Sequence, residues 1–348
     1  MRAVTLLAAG IGIAAIAALV AYFGAGEVVH ALVTIGLFGF AVICLIHLAL
    51  IGVMGTAWRA LLPGTRWWVP LWGRLVRDSG SEALPLSQVG GYVLGARAIA
   101  LSGVPATVAA ASSIVDITLE FVAQVAYTAL GLALLVHLKP DSDAAVPVGI
   151  GLGIATLVAI AFLVAQRRAV PVIDRIARAL GKGWAERTAS GAVALHEALA
   201  AIYRNRRGLA LSFVMHLACW IAGAAEAWIV LRLAGAPLPF AAVLVIESLL
   251  YAARSAAFVV PNAVGVQEGA YIVFGAAFGL SPETALALSL LKRARDLVIG
   301  LPAIGAWQIV EGGRLWRRTG KSNSTGKRKS TENRKSPDPD FAAGRAPE

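Results

Sequence analysis

Charge is scarce in this chain. Only 15% of its 348 residues are Asp, Glu, Lys or Arg, while 58% are apolar and the mean hydropathy is +0.73. Soluble domains carry about a quarter charged residues, so the shortage excludes one and implies an integral membrane protein. Cysteine is nearly absent: Cys44 and Cys219 both lie inside apolar runs, which excludes a disulfide framework and leaves no metal-ligand spacing. Alternating strands of about ten residues are lacking, which argues against an outer-membrane barrel. The sequence also lacks an HExxH pair, a GxSxG elbow, a Walker loop and paired aspartates in a GxGD setting. No catalytic residue, metal or cofactor is therefore assigned, and the chain is not read as an enzyme. Without a long polar segment to hold a nucleotide, ATP-driven pumping by this chain alone is also disfavoured.

What the sequence does hold is a series of apolar runs near 20 residues, the length that crosses roughly 30 Å of hydrocarbon. Spans are expected at 3–23, 28–54, 106–137, 146–166, 208–231 and 284–311. The first is too long in its apolar part for a signal peptide, and more spans follow it. The net charge of +11 sits between the runs and in the tail, where the positive-inside rule accounts for it without nucleic acid. Segment 55–82 carries Arg59, Arg66, Arg74 and Arg77; segment 167–208 carries nine Lys or Arg against three acids; the tail from 312 carries ten against four. These segments and both termini are expected in the cytoplasm. Trp58, Trp67, Trp68 and Trp72 read as an interfacial belt, and 170–203 as an amphipathic surface helix. The Ser-, Lys- and Pro-rich tail, 312–348, is expected to be disordered.

Two apolar stretches remain, 83–104 and 239–282, both interrupted by Pro, Gly and polar residues. They resemble each other. "LPLSQVGGYVLGARAIALSGVPAT" (84–107) aligns with "VPNAVGVQEGAYIVFGAAFGLSPET" (260–284): Pro85 falls on Pro261, Pro105 on Pro282, and Ser112 and Asp116 on Ser289 and Arg293. One copy follows a span running inward and the other a span running outward, so the repeat is inverted, as in secondary transporters. The fold expected is an all-α integral membrane protein of about six spanning helices plus two re-entrant helical hairpins, equivalently about eight hydrophobic helices. Repeat 1 covers about 28–137 and repeat 2 about 205–311, within one membrane domain, 1–311. Glycines four apart, Gly91/Gly95, Gly265/Gly269 and Gly275/Gly279, would let hairpin arms approach closely. The alternative is two ordinary spans, 240–260 and 263–280.

Ionisable residues inside these stretches are the candidate lipid site. Asp116 and Glu120 share one face of the third span; Lys292, Arg293, Arg295 and Asp296 lie at similar depth in the last. Asp116 or Glu120 is expected to meet Arg293 or Arg295, either as a clamp between the repeats or around a cavity for an anionic head group. Arg97, Glu247, Arg254, Gln267 and Glu268 sit in or beside the hairpins, and Glu268 is the first choice for a functional carboxylate in a wet cavity. Glu226 is a weaker candidate. His47, His137 and His216 are isolated, which fits satisfied polar contacts.

"LPLSQVGGYVLGARAIALSGVP" and "VVPNAVGVQEGAY", with its Pro-x-x-x-Gly-x-x-Glu pattern, resemble the two signatures of the lysylphosphatidylglycerol-synthase transmembrane, flippase-like family, over residues 1–311. "ASSIVDITLEFVAQ" and "LSLLKRARDLVIGLPAIGAWQ" look closest to its hopanoid-associated branch. The resemblance implies a bacterial inner-membrane protein that moves a lipid between leaflets, with membrane lipids (hopanoid or phospholipid) and hopanoid-pathway membrane proteins as partners. A scaffold for lipid-synthesising enzymes is the alternative. Gly91 stands where the family often has Glu, and the aminoacyl-transferase domain of the synthases is missing, so lysyl transfer is not implied.

Overall fold

A computed structural model of the chain describes residues 25–83, 87–140, 143, 145–179, 182–257, 260 and 263–333. The expected span 3–23, together with Pro85, Pro261 and Asn262, lies outside them. The chain divides into two compact units, Met1–Ala303 and Ile304–Glu348. All regular structure among the described residues is helical, in ten helices: α1 (Ala25–Ala60), α2 (Trp68–Ala83), α3 (Ser87–Leu101), α4 (Ala106–Leu138), α5 (Ala145–Ala179), α6 (Lys182–Arg204), α7 (Arg206–Leu233), α8 (Phe240–Ala256), α9 (Val266–Ala276) and α10 (Pro282–Asn333). The expected all-α membrane fold is the observed one. The segment expected to be disordered from 312 is helical in its backbone as far as Asn333.

Local chemistry sets the boundaries. Pro105 and Pro239 immediately precede α4 and α8, and Pro282 opens α10, positions where a missing N–H costs nothing. Asn205 caps α7, its side chain accepting from the Gly208 N–H at 3.0 Å. Its amide also donates to the Ala60 carbonyl at 3.3 Å, which pins the start of α7 to the end of α1. Within α1 the backbone leaves the helical region once, at Gly36 (φ 65°, ψ 173°).

Among the described residues, four helices are long and apolar enough to cross a membrane: Val33–Ala60, Ala106–Leu138, Val146–Val164 and Arg206–Leu233. They fall on four of the expected spans. The expected span 284–311 lies on α10, but four charges between 292 and 296 remove it from that set by composition. The membrane-facing character is plainest on α5, where Val146 (69%), Ile150 (61%) and Leu157 (68%) lie exposed along the helix. An apolar face that open is at home in hydrocarbon. The surface helix expected over 170–203 is instead divided between α5 and α6. Leu199 and Ile202 of α6 enter the core beside Trp58, Ile99 and Val115.

α2 and α3 form one helical hairpin, α8 and α9 another. Each arm has 11 to 17 residues. At 1.5 Å per residue that is about 17–26 Å, short of roughly 30 Å of hydrocarbon. Three contacts show that α1 and α7 run antiparallel. Gly39 faces Leu233, Cys219 Sγ faces the Leu50 carbonyl at 3.8 Å, and Ala60 faces Gly208. α2 follows the end of α1, and α8 follows the end of α7, so the two hairpins enter from opposite ends of the bundle.

The first hairpin corrects the expectation of 83–104. The whole of α2 (Trp68–Ala83) is its first arm, and α3 (Ser87–Leu101) is its second. Arg74 and Arg77, expected in a cytoplasmic segment, are 4% and 2% exposed. Carboxylates on α4 neutralise them.

Candidate functional site

The first charged cluster joins α2 to α4. Arg74 donates to both oxygens of Glu120, at 3.0 and 2.8 Å, and through Nε to Asp78 at 2.7 Å. Arg77 donates to Asp116 at 2.6 Å and to Glu120, while its guanidinium lies 4.5 Å from the Tyr92 ring centroid. Asp116 is fully buried and also meets Nε2 of His216, on α7, at 3.0 Å. The two arginines sit one turn apart on α2, and the two carboxylates one turn apart on α4, so two helical faces meet charge to charge.

The second half reverses the signs. There the hairpin carries carboxylates and the following helix carries cations. Lys292 of α10 donates to Glu247 of α8 at 2.8 Å, and Tyr271 of α9 donates to the other Glu247 oxygen at 2.5 Å. Arg293 donates through Nε to Glu268 at 2.5 Å. Glu268 also accepts from Ser289 at 3.1 Å and from the Gly265 N–H, at the start of α9, at 2.8 Å. Arg295 pairs with Glu226 of α7 and donates to Asp296 at 2.9 and 2.7 Å. His47 of α1 contacts Glu226 at 3.4 Å and Asp296 at 3.7 Å.

The hairpins meet near their tips, where Arg254 of α8 lies 3.5 Å from Glu82 of α2. Beside this contact opens a cavity of about 460 Å³. Its polar wall includes Arg74, Arg77, Arg254, Lys292 and Arg295 against Asp78, Glu82, Glu120, Glu226 and Asp296. Its apolar wall includes Phe121, Phe162, Trp220 and Tyr251. Trp220 and Tyr251 stand edge to face at 4.5 Å. Arg77 Nε, Glu82 Oε2 and Trp220 Nε1, all on lining residues, are buried without a hydrogen-bond partner. Polar atoms so placed are rare unless water or a ligand satisfies them.

Residues 6–303 match the family described as lysylphosphatidylglycerol synthase TM region. The chain belongs to that family. No curated protein matches it, and no solved structure does. Within this lysylphosphatidylglycerol synthase TM region, the glycine at 91 has a plain cause. A Cβ there would lie 2.0 Å from Ser81 Oγ and 2.5 Å from the Arg77 carbonyl, so no larger side chain fits between α2 and α3.

Of the expected site residues, Glu120, Arg254, Arg295 and Asp296 line the cavity. Asp116 lies buried behind it, and Arg97 is exposed on α3, outside the lining. The expected pairing of Asp116 or Glu120 with Arg293 or Arg295 does not occur. Both carboxylates turn to Arg74 and Arg77, and Arg293 turns to Glu268. Nor does Glu268 line this cavity. It is fully buried, bonded to Gly265, Ser289 and Arg293, and is not in the lining. Gln267 is buried too, accepting from Arg254 at 2.7 Å and donating to Ser289 at 2.9 Å. Sequence reasoning missed Arg74, Arg77, Asp78 and Glu82, and passed over His47. The four-residue spacing of Arg74 and Asp78, with Arg77 on the same face, was the available signal.

Proposed function

We propose that this chain moves a lipid between the leaflets of the bacterial inner membrane, the head group passing through the cavity beside the hairpin tips. The observation that carries this reading is a cavity of about 460 Å³ walled by five cations and five carboxylates inside a multi-pass membrane protein. Ionisable groups at membrane depth mark substrate or ion pathways by default. The volume falls in the range of small-ligand sites, enough for a head group while the chains stay in lipid. The site is Arg74, Arg77, Glu82, Glu120, Arg254, Arg295 and Asp296. Asp116, Gln267, Glu268 and Arg293 hold its walls in place.

Short arms entering from opposite ends fit re-entrant hairpins that stop inside the bilayer, buried in protein and bordering a polar space. On this reading repeat 1 covers about 28–137, repeat 2 about 205–311, and the tail 312–348 is cytoplasmic with both termini. Membership in the lysylphosphatidylglycerol synthase TM region family supports a lipid substrate, and the sequence resemblance to its hopanoid-associated branch makes hopanoids the class to test first.

The test is leaflet exchange of a fluorescent phospholipid in vesicles reconstituted with the full chain. Faster exchange than in protein-free vesicles is expected. Equal rates would overturn the reading in favour of a scaffold for lipid-synthesising enzymes. Lipid analysis of separated inner and outer membranes, with and without the gene, would then name the lipid.

A further inference from the structure

The charges around Arg295 do not balance. Arg295 pairs with both Glu226 and Asp296, and the neighbouring cation, Lys292, is engaged by Glu247. One positive charge thus faces two carboxylates. The group between those carboxylates is the His47 imidazole, 3.4 Å from Glu226 and 3.7 Å from Asp296. A proton on His47 would close the balance, and its absence leaves one negative charge in excess. An unbalanced charge in a largely dry setting is costly, so the proton and the packing are tied together.

His47 can also exchange that proton. Its side chain is 26% exposed and lines the cavity, whereas Glu226 beside it is 1% exposed. His216 provides the contrast. It meets Asp116 at 3.0 Å in the other half but is fully buried and lies outside the lining. His47 contacts Glu226 from α7 and Asp296 from α10, and shares the cavity lining with Arg74, Arg77, Asp78 and Glu82 of α2, Glu120 of α4, Arg254 of α8 and Lys292 and Arg295 of α10. Protonated, His47 would add charge-assisted contacts from α1 to Glu226 of α7 and Asp296 of α10; neutral, it would lose that attraction.

We propose that His47 is a proton-binding site that couples the cavity to pH, the imidazole taking its proton from cavity water and returning it there. This rests on the transport reading for the coupling, though not for the proton site itself. The full chain is reconstituted with nitrobenzoxadiazole-labelled phosphatidylglycerol, and exchange is followed at about pH 6 and about pH 8, across the range where histidine changes charge. Wild-type exchange is expected to be slower at the lower pH by about threefold or more, and His47→Gln to exchange at one rate at both. A wild-type rate independent of pH, or a His47→Gln rate that keeps the dependence, overturns the coupling.

A second measurement needs no lipid movement. Imidazole NMR signals of the histidine-labelled full chain in detergent should show His47 titrating over the same range, with a changed titration in Asp296→Asn. A His47 ring that stays in one state throughout overturns the proton site. If the wild type moves no probe at either pH while His47 titrates, the transport reading fails and the proton site stands.

Discussion

In hairpin α2–α3 the backbones themselves come together, whereas α8–α9 is tied by side chains. A Cβ on Gly95 would sit 2.7 Å from Arg77 Cβ and 2.9 Å from the Gly73 carbonyl, and one on Gly80 would sit 2.9 Å from Leu94. Nothing larger than hydrogen fits between those arms, as in small-residue packing of membrane helices. In α8–α9 the Tyr271–Glu247 and Arg254–Gln267 hydrogen bonds span the arms, and a Cβ on Gly269 would meet nothing within 4 Å. The glycine spacing that looked equivalent in the two copies therefore does different work. Gly91 and Gly95 permit close approach, while Gly265 supplies a left-handed turn (φ +83°) before α9. The charges facing the following helix divide the same way, with Arg74 and Arg77 on the first hairpin and Glu247 and Glu268 on the second. Where the hairpins meet the signs reverse, Glu82 of the first facing Arg254 of the second.

The largest effect should come from breaking the first cluster. Asp116→Asn leaves Arg77 short of a buried partner, and removing one member of such a pair costs about 3–5 kcal/mol. Thermal unfolding in detergent should show the loss, and a stability within error of wild type would show that Glu120 alone suffices. Glu268→Gln tests the second half. It weakens the Arg293 pair and the cap on Gly265 together, so a loss of a few kcal/mol is expected, somewhat smaller because Arg293 is 13% exposed. Unchanged stability with reduced lipid movement would instead restore Glu268 to the transport site. The glycines sharpen the contrast further. Gly91→Ala should cost about 1–3 kcal/mol through overpacking, while Gly269→Ala should be neutral or stabilising by up to about 1 kcal/mol. Equal losses in the two variants would erase the difference between the hairpins.

Much of this architecture was legible in the residues. Four of the expected spans do fall on long apolar helices, and charges on α4 and α10 do line one cavity. The second hairpin matched its expected range because its arms are apolar and its tip is polar. The first arm of the other hairpin was hidden because Arg74 and Arg77 look like topology signals until their partners are known. Those partners lie 39 and 46 residues away, at Asp116 and Glu120. Spacing along a helix fixes depth and face, not which neighbouring helix that face meets. That is why Asp116 was matched with Arg293 when α2 stood closer. Glu268 misled for a related reason: its glycine neighbours suggested space, yet Ser289 and Arg293 fill it.

The central claim is that lipid head groups pass through the cavity, and Gly223 offers the most direct access to it. Gly223 lines the cavity, and a Cβ built there would meet nothing within 4 Å, so a side chain placed there starts into open space. Leaflet exchange should be measured in vesicles carrying Gly223→Phe at wild-type density, beside thermal unfolding of the same variant. The account predicts unchanged unfolding with exchange reduced to the protein-free rate. A folded Gly223→Phe protein that exchanges lipid at the wild-type rate would contradict it.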